Sequence, residues 1–393
     1  MLECQRSRFR LPDDLHYLNC AYMAPLAREV EAAGIAGMSR RRNPADLDAG
    51  FFFDEADRIR ELFARLVDCP DPRRIAVLGS VSYGIASVAG NVPLSASQRV
   101  VVLGEQFPSN YYAWSRRCAE TGASLEVVAA PDVREERGAL WNARLLEAIV
   151  PGTAVVALGN VHWSDGTLFD LAAVRRRTRE VGALLVIDGT QSVGALPLSV
   201  RALDPDALIC AGYKTLFGPY SLALGYFGDA FRDGTPLEDN WITRRDSRDF
   251  AGLVDYREEY REGAIRYDAG EHSSPILLPM MSAALGMVLD WGPERVQEYC
   301  GALTAGPLAR ARELGYWVED APRRAAHLFG VRPPAGLPLA RLRDELARRR
   351  VAISVRGSAI RVAPQVYNDA GDLEALVAAL EAAVGVAATA GAS

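Results

Sequence analysis

Seven short apolar runs follow one another between residues 75 and 227, and helical patterns separate several of them. Each run is four to six residues long, rich in Val, Ile and Leu and largely without alternation, as is typical of strands buried on both faces of a mainly parallel sheet. This alternation of strands and helices predicts a doubly wound α/β domain. Strands are predicted at residues 75–78, 100–103, 125–128, 154–158, 184–187, 207–210 and 222–227, and helices at residues 82–90, 109–121, 140–149 and 171–181, the last with Asp170 as its N-cap.

The chain changes character after residue 235. Residues 236–262 are rich in Asp, Arg and Glu with little periodicity, which indicates a long loop or excursion. An apolar helix predicted at residues 277–291 then leads into a second domain. That domain is predicted to contain helices at 293–303, 339–349 and 372–384, strands at 352–355 and 359–362, and a frayed Ala/Gly-rich tail at 385–393. We expect an N-terminal segment (1–45) that packs with the small domain, a large ligand-binding domain (46–275) and a small C-terminal domain (276–393).

Charge and cysteine content restrict the class of protein. The net charge is −6, from 44 basic and 50 acidic side chains, which disfavours nucleic acid or an anionic membrane as the main partner. No run of 18 apolar residues predicts a membrane span, and the start of the chain lacks the apolar core of a secretory signal. The six cysteines are scattered without a CxxC pair, so we expect reduced thiols, a cytoplasmic protein and no metal site.

Lys214 is the only lysine in the chain, and the other 43 basic residues are Arg. A coding bias toward Arg could account for this composition. Arg can replace Lys in almost every surface role, but its guanidinium cannot form an imine, so a lone lysine suggests covalent chemistry. Lys214 also follows the predicted strand at 207–210, and ligands of parallel α/β sheets bind beyond the carboxyl ends of the strands.

Asp188 stands at the end of the preceding predicted strand. It could form a turn or cap a helix, or its carboxylate could pair with a cationic ligand. Asp188 and Lys214 are separated by 26 residues, about one crossover between adjacent strands, so both groups can face one pocket.

The segments around these two residues, DGTQSVG at 188–194 and GYKTLFGP at 212–219, resemble the pyridoxal-phosphate signature of the class V aminotransferase family. That family includes cysteine desulfurases, kynureninase and isopenicillin-N-epimerase-like enzymes, and the resemblance extends from residues 17–19 to residues 361–368. It implies the fold type I architecture, with a seven-stranded, mainly parallel sheet in the large domain and a smaller α+β C-terminal domain. It also implies pyridoxal 5'-phosphate as the cofactor and a homodimer with active sites at the interface.

The resemblance assigns a role to each residue of the signature. Lys214 would form a Schiff base with the cofactor aldehyde, be displaced by the substrate amine and then move protons at the substrate carbon. Asp188 would keep the pyridine nitrogen protonated, and Gln191 would hydrogen-bond the ring oxygen of the cofactor.

Two further motifs follow the first two predicted strands. Ser80, Val81 and Ser82 form a small-residue turn into a helix, which is either a plain helix cap or, as the resemblance implies, the site of the cofactor phosphate. Val81 could contribute only its backbone N–H. Phe107 is either a packed residue of a first helix turn or the ring that stacks on the cofactor.

Candidate substrate residues come from three places in the chain. His162 and Trp163 follow the strand predicted at 154–158, where His162 is either a structural histidine or a contact to the substrate or cofactor. The resemblance implies that Arg356 binds the substrate carboxylate, although any one of 43 arginines could equally lie on the surface, and that Asn19 reaches the substrate.

At residues 270–274 the chain departs from the Gly-Thr-Pro of the family, which reaches across the dimer interface to the neighbour's phosphate. Glu271 would repel a phosphate, so backbone groups or Ser273 would take over this contact, or the contact is altered. Tyr213 replaces the His that precedes the lysine in desulfurases, and its hydroxyl could contact the phosphate.

Two departures bear on the reaction. The segment at 356–361 is short and lacks the nucleophilic cysteine of desulfurases, and the Tyr213–Lys214 pair resembles kynureninase and epimerase-like members. We therefore expect a lyase that acts on an amino acid through an external aldimine, by β-elimination, C–S cleavage of a cysteine conjugate or related carbanion chemistry. The alternatives are an aminotransferase, an epimerase, or a non-catalytic binding or regulatory protein. Residues 239–260, with Trp241, Arg244 and Arg245, either shape a pocket for a larger substrate or form a solvated excursion.

Overall fold

The computed structural model describes residues 2–390. Its largest sheet has seven strands in the order β2-β8-β7-β6-β5-β3-β4, and only β8 runs antiparallel to its neighbours. This sheet confirms all seven strands predicted from the sequence, with ends that differ by one residue at most. The strands, including the short β1 outside this sheet, are β1 (His16–Tyr17), β2 (Ile75–Leu78), β3 (Arg99–Leu103), β4 (Ser124–Val128), β5 (Thr153–Leu158), β6 (Leu184–Asp188), β7 (Ala207–Ala211) and β8 (Ala223–Phe227).

The large sheet is buried on both faces because its strands are apolar at consecutive positions. In β3, Val101 and Leu103 belong to one hydrophobic core, whereas Val100 and Val102 belong to a second core on the opposite face. Successive side chains of a strand point to opposite faces, so a continuous apolar run supplies both cores at once.

Helices cover both faces of this sheet and build the rest of the molecule. All four helices predicted in the large domain are present, and the carboxylate of Asp170 accepts a hydrogen bond from the amide of Ala173 at 2.9 Å, which confirms it as an N-cap. The helices are α1 (Arg28–Arg40), α2 (Asp54–Leu66), α3 (Val81–Asn91), α4 (Ser109–Thr121), α5 (Arg137–Ala148), α6 (Leu171–Val181), α7 (Val200–Leu203), α8 (Leu277–Trp291), α9 (Pro293–Glu313), α10 (Leu339–Arg348) and α11 (Ala370–Ala390).

Two C-terminal helices are longer than predicted. Helix α9 continues past Pro307, because Cys300, Thr304 and Leu308 lie buried on one face and packing outweighs the proline. Helix α11 continues through Ala390 in an Ala-rich segment of high helix propensity, so the end predicted at residue 384 is wrong. Residues 391–393 of the predicted frayed tail lie outside the described residues.

The C-terminal region contains a three-stranded antiparallel sheet in the order β11-β12-β9. The strand predicted at 352–355 is divided between two sheets, because β10 pairs with β1 of the N-terminal segment whereas β11 joins β12. The pairing of β1 with β10 ties the N-terminal segment to this region, while the division into three domains stays a prediction. The remaining strands are β9 (Phe329–Val331), β10 (Val351–Ala352), β11 (Ser354–Arg356) and β12 (Ala359–Val362).

The segment after β8 is irregular, as predicted, and contains short 3-10 turns at Trp241–Thr243 and Ala251–Val254. The Trp241 ring packs against Phe52, Phe53 and Phe250 at centroid distances of 5.5–5.9 Å. Between residues 2 and 390, no helix has both the length and the apolar character needed to cross a bilayer.

Candidate active site

A cavity of about 310 Å³ opens at the carboxyl ends of the parallel strands. The residues that line it follow five different strands, because the carboxyl ends of parallel strands meet at one edge of a sheet. Ten of the thirteen site residues predicted from the sequence line this cavity: Ser80, Val81, Ser82, Phe107, His162, Trp163, Asp188, Gln191, Tyr213 and Lys214.

Lys214 follows β7, and only 6% of its surface is exposed. Its Nζ lies 5.3 Å from the ring centroid of Phe107 and 5.6 Å from that of Tyr213, and it forms no ion pair within residues 2–390. Burial lowers the pKa of Lys214 to about 8; the charge of Asp188 opposes this shift, and the charges of the nearby arginines Arg361 and Arg356 add to it. The amine is therefore far more often neutral near physiological pH than an exposed lysine.

Asp188 ends β6 and is half-buried in the cavity wall. Its carboxylate accepts a hydrogen bond from the amide of Thr190 at 3.1 Å, so it forms the local turn considered above. Burial raises the pKa of Asp188, and the hydrogen bonds from Thr190 and the charge of Lys214 oppose this shift. No cationic side chain within residues 2–390 forms an ion pair with it, so a cationic ligand suits this half-buried carboxylate.

The turn after β2 forms the other end of the cavity. Ser80 is the N-cap of α3, and its Oγ accepts a hydrogen bond from the amide of Tyr83 at 3.0 Å. That hydroxyl is therefore occupied by the helix, and the amides of Val81 and Ser82 lie among the first-turn donors that a helix leaves unpaired. The Ser82 hydroxyl lies 3.4 Å from that of Ser109 at the start of α4, so two helix N-termini converge here, an arrangement that favours an anion.

Gln191 also lies in the cavity wall, and it is buried. Its Nε2 donates to the carbonyl of Ala21 at 3.1 Å, whereas its Oε1 has no hydrogen-bond partner within residues 2–390. Buried polar atoms are almost always paired, so this unpaired oxygen marks a place where a ligand completes the site.

Aromatic side chains form one side of the cavity. The indole of Trp163 donates to the carbonyl of Glu105 at 2.7 Å and meets the Phe107 ring edge to face at 5.4 Å, which restrains the Phe107 ring. His162 is buried; its Nδ1 lies 2.8 Å from the Ser164 hydroxyl and its Nε2 lies 3.3 Å from the Gly104 carbonyl. Both nitrogens of His162 thus have protein partners, as in a structural histidine.

Two predicted substrate residues, Asn19 and Arg356, are not among the residues that line the cavity. The Asn19 Oδ1 accepts a hydrogen bond from the Ser354 hydroxyl at 2.9 Å, which fixes Asn19 to β11. The Arg356 guanidinium lies 5.1 Å from the centroid of the Trp163 ring, so Arg356 borders the cavity through a residue that lines it.

Sequence reasoning missed Arg361. It is 1% exposed, and its Nη1 donates to the Trp163 carbonyl at 2.8 Å. Burial lowers its pKa to about 10, and the charge of Arg356 adds to this shift. With 43 arginines in the chain, the only local signal was its place at the start of the segment 361–368.

The third predicted residue outside the cavity is Ser273. Its hydroxyl donates to the Phe52 carbonyl at 2.8 Å, and Glu271, two residues earlier, adopts a φ of 54°. Its contact with the phosphate of a neighbouring subunit stays a prediction. No residue from 239–260 lines this cavity, so within one chain the excursion does not shape the pocket.

The fold, the buried lysine and the facing carboxylate define a fold type I pyridoxal-phosphate enzyme. Residues 48–236 match the family model described as aminotransferase class-V. This match spans 189 of the 393 residues, so the chain is similar to the class V aminotransferases over just under half of its length. Its cofactor is pyridoxal 5'-phosphate.

Comparisons with individual proteins agree with this assignment. The chain is 25% identical to the "uncharacterized aminotransferase YcbU" of Bacillus subtilis over 324 residues, 80% of each chain. It is 26% identical to a cysteine desulfurase of Escherichia coli over 187 residues, 47% of this chain and 45% of that protein. Among solved structures, the cystine C–S lyase C-DES in complex with cysteine persulfide has a TM-score of 0.84 at 19% identity, with 94% and 97% of the two chains covered. The cysteine desulfurase CsdA of Escherichia coli has a TM-score of 0.79 at 20% identity, with 97% and 98% covered.

The residues of the cavity fit this cofactor. The Lys214 amine suits its aldehyde, and the Asp188 carboxylate, which has no cationic partner within residues 2–390, suits its pyridine nitrogen. The unpaired Gln191 oxygen suits the polar ring substituent, and the converging helix N-termini suit the phosphate. The exposed face of the Phe107 ring, close to Lys214, suits a flat heterocycle.

Proposed function

We propose that this protein is a pyridoxal-phosphate-dependent lyase that breaks a bond at the β-carbon of an amino acid, with C–S cleavage of a cysteine conjugate as the favoured reaction. The proposal rests on one observation: Lys214 and Asp188 line the same cavity, and Arg356 and Arg361 beside it have no acidic partner within residues 2–390. Lysine and aspartate serve the cofactor, whereas the arginines suit a substrate carboxylate.

Pyridoxal phosphate supplies an aldehyde that condenses with amines and a ring that withdraws electrons from the substrate α-carbon. Asp188 would hold the pyridine nitrogen protonated, and the amides of Val81 and Ser82 with the Ser82 hydroxyl would bind the phosphate. Phe107 would cover one face of the ring and exclude water, and Gln191 would bond the ring oxygen.

Lys214 is the residue that would move protons. Its pKa of about 8 lies near the operating pH, where a general base is most effective. The neutral amine would accept the proton of the substrate α-carbon, and the ammonium would return a proton to the leaving group or the product. Tyr213, whose ring lies beside Nζ, would restrict where the amine can reach.

Arg361 would orient the substrate carboxylate with Arg356 beside it, and Asn19 would support Arg361 through Ser354. The Arg361 guanidinium is held by the Trp163 carbonyl at 2.8 Å and by the Ser354 hydroxyl at 3.4 Å, so its direction is fixed before the substrate binds. A fixed bidentate donor orients the α-carbon above the ring.

The β11–β12 turn supports a lyase over a desulfurase. Only Gly357 and Ser358 separate Arg356 from Ala359, so this turn offers no thiol to accept sulfur, and the sulfur would leave as a small molecule. The similarity to a cystine C–S lyase structure agrees with this choice. The name of the Bacillus relative supports an aminotransferase as the second candidate, and an epimerase is a further alternative.

We also propose that the enzyme works as a homodimer in the cytoplasm. All six cysteines lack disulfide partners, which suits a reducing compartment. Light scattering on the holoenzyme should give twice the chain mass, and a monomer that retains activity would refute the dimer.

Product analysis tests the reaction. The holoenzyme is incubated with S-alkyl and S-carboxyalkyl cysteines, and keto acid, ammonium and the spectrum of the cofactor are measured together. The lyase predicts equal amounts of pyruvate and ammonium with no pyridoxamine form. Accumulation of the pyridoxamine form without ammonium would identify an aminotransferase. Lys214→Arg keeps the charge but cannot form an imine, so the variant should lose turnover and the borohydride-fixed cofactor mass on this residue.

A further inference from the structure

Two arginines next to the active-site cavity carry charges that no acidic residue neutralises. Neither Arg356 nor Arg361 forms an ion pair with a carboxylate within residues 2–390, whereas most of the other arginines do. The Nε atoms of both guanidiniums are buried and have no hydrogen-bond partner within the same residues. Buried charges are paired in stable proteins, so a ligand is expected to supply anions.

The hairpin of β11 and β12 places both arginines on one face. Ser354 pairs with Arg361, and Arg356 pairs with Ala359. Side chains of paired residues, and of residues two positions along a strand, share a face. Arg356 and Arg361 are thus diagonal neighbours, and their guanidiniums lie 5.1 Å and 5.9 Å from the centroid of the same Trp163 ring.

The two guanidiniums differ in how they are held. Arg361 is fully buried and bonded to the Trp163 carbonyl, which makes it a fixed anchor. Arg356 stands at the end of β11 beside the turn and is half-buried. Among the described residues, it donates only to the neighbouring Val355 carbonyl, at 2.7 Å. It can therefore move toward a second group of the substrate.

We propose that the substrate is an amino acid whose side chain ends in a second anionic group, with the α-carboxylate on Arg361 and the side-chain anion on Arg356. This inference rests on the proposed function, because it presumes an amino acid bound over the cofactor. One carboxylate between two guanidiniums would leave a surplus positive charge next to Lys214, whereas two anions neutralise both arginines. The Asp188 carboxylate cannot neutralise either arginine because it faces Lys214.

The test compares acids with their neutral amides of nearly equal shape. The holoenzyme is titrated with L-aspartate and L-asparagine, L-glutamate and L-glutamine, and S-(2-carboxyethyl)-L-cysteine and its amide. Binding is read from the change in the visible absorbance of the cofactor, which requires no turnover. A charge-assisted contact predicts that at least one acid binds about 10- to 100-fold more tightly than its amide.

Variants assign the preference to one residue. Arg356→Gln should bring the Kd of the preferred acid to within a few-fold of the Kd of its amide. Arg356→Lys, which keeps the charge, should retain part of the difference between the two Kd values. Arg361→Gln should weaken acid and amide alike. Arg343→Gln, on the exposed side of α10, is the matched control and should leave the preference unchanged.

The outcomes separate the two proposals. If amides bind as tightly as acids in all three pairs, or if Arg356→Gln keeps the full preference, the inference is overturned while an amino-acid enzyme stands. If no amino acid alters the cofactor spectrum, the proposed function fails, and the inference fails with it.

Discussion

Replacing Asp188 by Asn should make Lys214 of the apoenzyme lose its proton at a lower pH. Burial disfavours the ammonium, and the Asp188 carboxylate is the main group that opposes this effect. Asn keeps the shape and removes the charge, so the pKa of Lys214 should fall below its wild-type value of about 8. Arg361→Gln removes a cationic neighbour and should shift the pKa in the opposite direction.

The pKa of Lys214 sets the fraction of the wild-type protein in which this amine is neutral. At pH 7.5 a lysine with a pKa of about 8 is neutral in about a quarter of the molecules, whereas at the ordinary pKa of 10.5 the neutral fraction is about one in a thousand. Lys214 should therefore be roughly 200-fold richer in the reactive amine than an exposed lysine.

Amine modification can measure this pKa directly because the chain has one lysine. Apoenzyme is pulsed with acetic anhydride between pH 6 and 11, and acetylation of the Lys214 peptide is quantified by mass spectrometry. The N-terminal amine serves as an internal reference, and Asp170→Asn, which keeps an N-cap side chain on α6, should leave the midpoint unchanged. A wild-type midpoint near 10, or shifts of the same sign in Asp188→Asn and Arg361→Gln, would refute the reasoning.

Two further predictions concern packing around the site. Gly166→Ala should lower the free energy of unfolding by at least about 2 kcal/mol more than Gly182→Ala. Both glycines have φ near +75°, but only at Gly166 would an added Cβ clash with the backbone, because it would lie 1.9 Å from the Leu328 carbonyl oxygen. Urea unfolding followed by fluorescence measures the difference, and equal midpoints would contradict it. Phe107→Leu should weaken cofactor binding about 2- to 10-fold through loss of ring stacking, whereas Tyr112→Leu should not, because Tyr112 is 66% exposed on α4. Equilibrium dialysis measures the Kd of the cofactor for both variants, and an unchanged Kd for Phe107→Leu would exclude stacking.

The large sheet could be predicted because its signal is local. A strand such as β5 is buried at all six positions, so its burial appears in the sequence as one apolar run. The short strands carry no such signal. His16–Tyr17 and Phe329–Val331 contain two and three residues, and their pairing depends on partners far along the chain.

The cofactor side of the candidate site could also be predicted, for a geometric reason. Asp188 and Lys214 each follow a predicted strand, and parallel strands bring such residues to one edge. The arginines depend on the C-terminal β11–β12 hairpin, whose position relative to that edge no local pattern encodes. Arg361 was therefore missed, and Arg356 was named only through a resemblance.

From sequence alone one could conclude that a mainly parallel sheet carries a lone lysine and a facing aspartate at the ends of two strands, because burial and strand ends are properties of short segments. The tertiary structure alone decided that Trp163, which follows β5 of the large sheet, meets both arginines of a distant hairpin. Such a contact joins residues nearly 200 positions apart, and it arises from the packing of the C-terminal hairpin beside the large sheet rather than from any pattern within either segment.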